Sequence, residues 1–123
     1  MNKYVKYPFL ICLFILIGSL GVHLFSEDFA GKLREEDYSE VLSKGEKLYK
    51  KKACLSCHGK GGNNPQDNSY PLIGGQPKTY LKQQIIDIRD GSRSNGNTAI
   101  MSASIQTVSD EEAYLIAFYL SKQ

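Results

Sequence analysis

The chain has 123 residues, three cysteines, no tryptophan and a formal net charge of +2 from 15 basic and 13 acidic side chains. That length holds one small domain plus a targeting segment, and so small a domain buries a modest share of its surface unless something large and apolar completes its core. Lys3 and Lys6 account for the whole charge excess, because Ser26 onward carries 13 basic and 13 acidic residues; with no clustered basic excess, a nucleic-acid binder is excluded.

Lys3 and Lys6 precede an uncharged, mostly apolar run from Phe9 to Val22, and apolar character resumes at Leu24 and Phe25. A basic flank followed by such a run is the grammar of export. The 17 residues from Phe9 to Phe25 stand at the lower edge of what spans a bilayer. No Ala-x-Ala cleavage site follows, and the two lysines hold the N-terminus inside. Residues 1–25 are therefore expected to be an uncleaved membrane anchor, with a cleaved signal peptide and a soluble periplasmic form as the alternative. Residues 26–38, charged and containing Gly31, read as a linker, and 39–123 as the folded domain on the periplasmic side of the cytoplasmic membrane.

From Ser39, Val41, Leu42, Gly45, Leu48 and Tyr49 recur at three- and four-residue spacing and mark one face of a helix. Lys44, Lys47, Lys50, Lys51 and Lys52 occupy the rest, and the helix should end near Cys54. Cys54-Leu55-Ser56-Cys57-His58 follows, and this spacing points to covalent attachment of haem. Two thiols three positions apart can each add to one porphyrin vinyl group, while the adjacent histidine can place an imidazole nitrogen on the iron. A zinc ribbon would need four ligands, whereas the other cysteine and histidine, Cys12 and His23, lie inside the apolar N-terminal run. A thioredoxin-type dithiol would need a βαβ setting, and the flanks show no convincing strands. Haem thioethers also give two exported thiols a use other than a disulfide.

Gly59 to Tyr70 is dominated by turn formers and reads as an irregular loop, and Pro71 to Gln76 as a tight apolar one. Pro77 suits the first position of a helix, with Tyr80, Leu81, Gln84, Ile85 and Ile88 as its buried stripe and Gly91 as its stop. Ser92 to Val108 is polar and expected to be mostly irregular, with Met101 in a loop. Ser109-Asp110-Glu111-Glu112 has the form of a capping box, and Ala113 to Leu120 is so apolar that its helix must be buried on more than one side.

The second axial position decides what a haem protein does. Iron closed between two protein ligands favours electron transfer, and an open position favours binding or activation of small molecules. His58 is committed, His23 lies in the export segment, and Met101 is the only methionine besides the initiator. Met101 is the candidate ligand, with core filler as the alternative use of a methionine.

The ordered set of Gly45 and Tyr49 in a helix, Cys54-Leu-Ser-Cys57-His58-Gly59, Pro71-Leu72-Ile73-Gly74-Gly75-Gln76, Arg89-Asp90-Gly91-Ser92-Arg93, Met101 and a capped aromatic-rich final helix resembles the class I monohaem cytochromes c. The likeness runs from Ser39 to Lys122 and is greatest to the small bacterial forms that also occur as each half of dihaem periplasmic cytochromes. It implies an all-α fold of about three to four helices around one haem c. It also implies that the first and last helices cross at Gly45 against Phe118 or Tyr119, that the Pro71 carbonyl accepts a hydrogen bond from His58, that Ile73 packs on the ring, and that Arg89 and Arg93 approach the propionates. The implied function is single-electron transfer with His58 and Met101 as axial ligands, by a carrier that is not itself an enzyme. Its redox-protein partners would belong to a respiratory chain, and Lys47, Lys50, Lys51, Lys52 and Lys60 could guide acidic ones. A haem subunit of a multisubunit oxidoreductase, or a gas sensor in which Met101 dissociates, are the other readings.

Overall fold

The structure is a computed structural model that describes residues 34, 35 and 37–123. The expected anchor at 1–25 and most of the expected linker lie outside the described residues. Tyr38–Gln123 form one compact unit, and among the described residues there is no strand. None of the described helices is long and apolar enough to cross a membrane.

Helix α1 covers 38–51 of this unit, and residue 37 before it is also helical. The helix thus starts ahead of the expected Ser39, and the reason lies at Tyr38, whose ring meets Phe118 edge-on at 5.4 Å. α1 crosses α5 (Asp110–Leu120) at Gly45. A Cβ there would lie 2.3 Å from the Leu115 carbonyl oxygen and 2.7 Å from Tyr119 Cβ, so only a residue without a side chain allows the approach. Tyr119, rather than Phe118, is the residue met. One turn later Tyr49, 1% exposed, packs its ring on Tyr119 at 5.5 Å.

Helix α1 ends as the chain turns at Ala53, which holds a left-handed conformation (φ 60, ψ 13) ahead of the short α2, Cys54–His58. A 3-10 turn at Lys60–Gly62 follows, and the loop to Gln76 folds back so that Ile73 N–H donates to the Gly62 carbonyl at 2.9 Å and Gly75 N–H to that of Leu120 at 2.8 Å. α3 runs Lys78–Arg89 with Pro77 as its N-cap, one position outside the expected start. Leu81, Ile85 and Ile88 are buried, as the four- and three-residue spacing requires. Tyr80, expected in the same stripe, is 49% exposed. Gly91 stops the helix with φ 80.

The segment expected to be irregular contains α4, Thr98–Ile105, so Met101 sits on a helix and not in a loop. Thr98 and Ile105 are buried and Met101 packs against the core. Their spacing of three and then four is a helical stripe, masked in the sequence by Ala99, Ser102, Ala103 and Ser104 between them. α5 opens with the capping box as expected: Glu112 N–H donates to Ser109 Oγ at 3.1 Å, and Ser109 N–H to Glu112 Oε2 at 2.9 Å. Such a box contributes about 1 kcal/mol. α3 packs against both α4 and α5, and Ile116 and Leu120, 2% and 1% exposed, each stabilise by about 1.5–3 kcal/mol through burial.

Candidate haem site

A cleft of about 410 Å³ lies among α2, the 69–73 loop, α3, α4 and α5. Its floor is apolar, formed by Ile73, Leu81, Ile85, Ile88, Ile105 and Leu120. Cys54, Cys57 and His58 enter it from α2 and Met101 from α4. Two segments well separated in sequence, Cys54–His58 and the helix of Met101, thus bring their side chains to one cavity, and the cavity is apolar as a porphyrin requires.

His58 is 7% exposed, and its Nδ1 lies 3.1 Å from the Pro71 carbonyl oxygen. A carbonyl can only accept, so Nδ1 carries the hydrogen and the neutral ring keeps its lone pair on Nε2, the atom free to bind a metal. The turn behind His58 is held just as closely. Tyr49 Oη donates to the Gly59 carbonyl at 2.7 Å, and burial, with the nearby Cys54 adding to it, raises the phenol well above its ordinary value, so the donor keeps its proton. Gly59 adopts φ 70, and a Cβ there would fall 1.7 Å from the Asn64 carbonyl oxygen.

Burial pushes the Cys54 thiol up to about 11. That is the wrong direction for a redox dithiol, which works through a thiolate, and it is no obstacle to a thioether, which carries no charge. Among the described residues no group of three or more His, Cys, Asp or Glu is arranged to hold a metal by itself, so a zinc ribbon has no support from these side chains. The donor set and the cavity fit a covalently attached haem, with one imidazole and one thioether available to its iron.

The remaining expected residues divide. Pro71 and Ile73 line the cleft, as does Arg93, which donates to Gln84 Oε1. Arg89 does not line it. Its Nη1 donates to the Val108 carbonyl at 2.9 Å and to Asp110 Oδ1 at 2.8 Å, and its Nε to Asp90 Oδ1 at 2.7 Å; these acceptors raise its pKa further above the usual guanidinium range, the Asp90 bond contributing most. The expected approach of Arg89 to a propionate is corrected accordingly, because the side chain lies outside the cleft lining and its Nε, Nη1 and Nη2 already donate to Asp90, Asp110 and the Val108 carbonyl. Tyr70, Tyr80, Gln84 and Asn97 also line the cleft. Tyr80 and Gln84 stood in the expected stripe of α3, whereas nothing in the turn-rich sequence around Tyr70 marks it.

Of the five lysines expected to guide partners, Lys47, Lys51 and Lys60 are exposed. Lys50 pairs with Glu46 at 2.6 Å. Lys52 is corrected: its side chain is 14% exposed and pairs with Glu112 at 2.8 Å.

Residues 40–120 match the family model described as cytochrome C oxidase, cbb3-type, subunit III. The chain is 43% identical over 70 residues to cytochrome c-554(548) of Halomonas halodenitrificans, covering 57% of this chain and 83% of that one. It is 34% identical over 83 residues to cytochrome c4 of Pseudomonas aeruginosa, covering 66% of this chain and 41% of the relative. A protein of Thiomonas intermedia named thiosulfate dehydrogenase electron acceptor is 36% identical over 70 residues, covering 57% of this chain and 31% of its own length. The chain thus spans most of the first relative and less than half of the other two. With the all-α fold and the cleft above, the chain belongs to the cytochrome c family matched by the cbb3-type subunit III model, an electron carrier whose c-type haem is attached through Cys54 and Cys57.

Proposed function

We propose that His58 Nε2 and Met101 Sδ are the two axial ligands, and that the protein passes single electrons between redox-protein partners of a respiratory chain on the periplasmic side of the cytoplasmic membrane. The observation that carries this reading is the shared cleft: α2 and α4, far apart in sequence, each bring to it one side chain whose chemistry suits iron, and the Pro71 carbonyl fixes the tautomer of the first.

Haem supplies the reversible one-electron couple, and histidine with methionine sets its potential high. The chain's own residues do the rest. Ile73, Leu81 and Ile85 would keep water from the ring, Pro71 orients His58, and Arg93, which lines the cleft and donates to Gln84, would meet a propionate. Holding both ligands through both oxidation states keeps reorganisation small. The exposed Lys47, Lys51 and Lys60 suit partners that present carboxylates, where complementary charge raises the association rate. The sequence reading of residues 1–25 supports an anchored carrier. The relative named as an electron acceptor, together with one named cytochrome subunit of sulfide dehydrogenase from Chlorobaculum tepidum, also supports a chain that works as the haem partner of a dehydrogenase.

The test combines mass and spectrum. The denatured protein should weigh one haem more than its polypeptide, and Met101→Ala should abolish the sulfur-to-iron charge-transfer band of the ferric form and lower the potential. A band that survives in Met101→Ala refutes the axial assignment. Carbonate-washed membranes that keep the haem signal support the anchor, and a soluble protein starting near Val22 or Ser26 refutes it.

A further inference from the structure

The turn that joins α4 to α5 is gripped from two elements at once. Lys52, two residues ahead of Cys54, donates from Nζ to the Thr107 carbonyl at 2.8 Å and pairs with Glu112 Oε2 at 2.8 Å. Arg89, the last residue of α3, donates from Nη1 to the neighbouring Val108 carbonyl at 2.9 Å and to Asp110 Oδ1 at 2.8 Å. Two consecutive carbonyls are therefore each held by a cation from a different part of the chain. Each cation is also tied to a carboxylate in the first turn of α5. Gln106 Nε2 closes the arrangement by donating to the Arg89 carbonyl at 3.1 Å.

We infer that Lys52 and Arg89 are positioning residues for Met101: by clamping the α4–α5 turn to the Cys54 segment and to α3, they fix where the methionine sulfur sits in the cleft. The inference rests on Met101 being an axial ligand. α4 has only eight residues and its N-cap Asn97 makes no side-chain capping bond, so propensity alone does not hold so short a helix in place. Its C-terminal side is where the charge-assisted bonds gather. Met101 stands one turn before Ile105, about 6 Å along the helix axis, so a shift of the turn is carried to the sulfur with little attenuation. Both cations are shielded, with side chains 14% and 18% exposed, so their hydrogen bonds are charge-assisted and little screened by solvent.

The experiment uses the haem-loaded full chain and reads two quantities: the sulfur-to-iron charge-transfer band of the ferric form, and the rate at which carbon monoxide binds the ferrous form, which requires the sixth ligand to leave. Lys52→Met and Arg89→Met should each weaken the band and raise the carbon monoxide rate about tenfold or more, the equivalent of one lost charge-assisted bond. Lys52→Arg, which keeps a donor cation, should restore both. Tyr38→Ala removes the ring contact with Phe118 away from the cleft; it should lower the melting temperature and leave the carbon monoxide rate where it was. Should Lys52→Met fail to fold, Glu112→Gln weakens the same grip and takes its place. Wild-type carbon monoxide rates in both cation variants, or an equal rise in Tyr38→Ala, overturn the clamp. Met101→Ala separates the two readings. A band lost there but intact in Lys52→Met and Arg89→Met overturns the clamp alone, and a band retained in Met101→Ala overturns the ligand assignment beneath it.

Discussion

The two sides of the cleft are held by different means. On the His58 side, bonds are short-range and mostly backbone: Gly62 N–H to Gly59, Gln66 N–H to Cys57 and Ile73 N–H to Gly62, with Tyr49 and Pro71 bracing His58 and the turn behind it. On the Met101 side, a short helix is secured through cations that reach in from residues 52 and 89. The first side is pinned by backbone bonds and by close backbone approaches at Gly59 and Gly62. The second is adjustable, because its position depends on a few side-chain bonds that single substitutions or protons can remove. Under the proposed ligation, His58 is held by backbone bonds around its turn and Met101 is tuned through side-chain bonds at the end of its helix.

The largest effect should come from breaking both sides together. Leu120 is 1% exposed, lines the cleft and supplies the carbonyl that Gly75 N–H binds. Leu120→Ala should cost about 2–5 kcal/mol, unfold the domain well below the wild-type midpoint in urea, and weaken haem spectra and both ligands at once. If only the Met101 band suffers, the two sides do not share this residue as a support.

Next comes Gly62→Ala, aimed at the His58 side. Gly62 holds φ 73, and an added Cβ would lie 2.9 Å from Gly74 N and 2.7 Å from Ile73 Cγ1. The left-handed backbone costs an L-residue roughly 1–2 kcal/mol, and the backbone contact adds to it. Stability should drop by at least that much while the sulfur-to-iron band stays intact in the folded fraction.

Acid should loosen the Met101 side first. The Lys52 ammonium, and after it the Ser109 amide, hold the Glu112 carboxyl below its ordinary 4.5. The folded state therefore prefers the carboxylate, and that contribution is complete above 4.5 and is lost as pH falls through the lower folded-state value. Protonation removes the partner of Lys52 and half of the capping box, about 1 kcal/mol in all. The expected outcome is a band that fades with acid before the haem domain unfolds, and a smaller fade in Glu112→Gln, where the carboxylate partner of Lys52 is already gone. Equal acid sensitivity in both proteins would assign the effect elsewhere.

Legibility in the sequence follows the same division. The His58 side is written in one short run, where Cys54, Cys57 and His58 state their chemistry by spacing; elsewhere Ser109 and Glu112 state the start of α5, and Gly45 anticipates a close crossing. Met101 was legible as a donor but not as part of a helix, since Thr98, Met101 and Ile105 form a stripe too thin to stand out among alanines and serines. Lys52 reads as one more solvated lysine in a run, and Arg89 as a propionate partner by resemblance. Both acquire other roles through acceptors that only the tertiary fold brings near, the 107 and 108 carbonyls and the carboxylates of α5. Periodicity cannot report bonds between a loop and a turn more than fifty residues away.

The smallest effect, and the one of opposite sign, sharpens the comparison at the junction ahead of α2. Ala53 is the only non-glycine residue with positive φ among the described residues, at 60°, in a conformation that costs an L-residue roughly 1–2 kcal/mol. Its side chain is a single exposed methyl, so its removal gives up little packing. Ala53→Gly removes the strain but gives the unfolded chain more freedom, worth about 0.4–1 kcal/mol against folding. The balance favours glycine by about 0.5 kcal/mol, which for a domain of this size raises the melting temperature by roughly 2–4 °C. Because the change lies on the side already fixed by backbone bonds, the charge-transfer band and the carbon monoxide rate should not move. A lowered melting temperature would mean that Ala53 does not adopt the left-handed turn, and a changed band would mean that α2 transmits its position to Met101 and that the two sides are less independent than their bonding indicates.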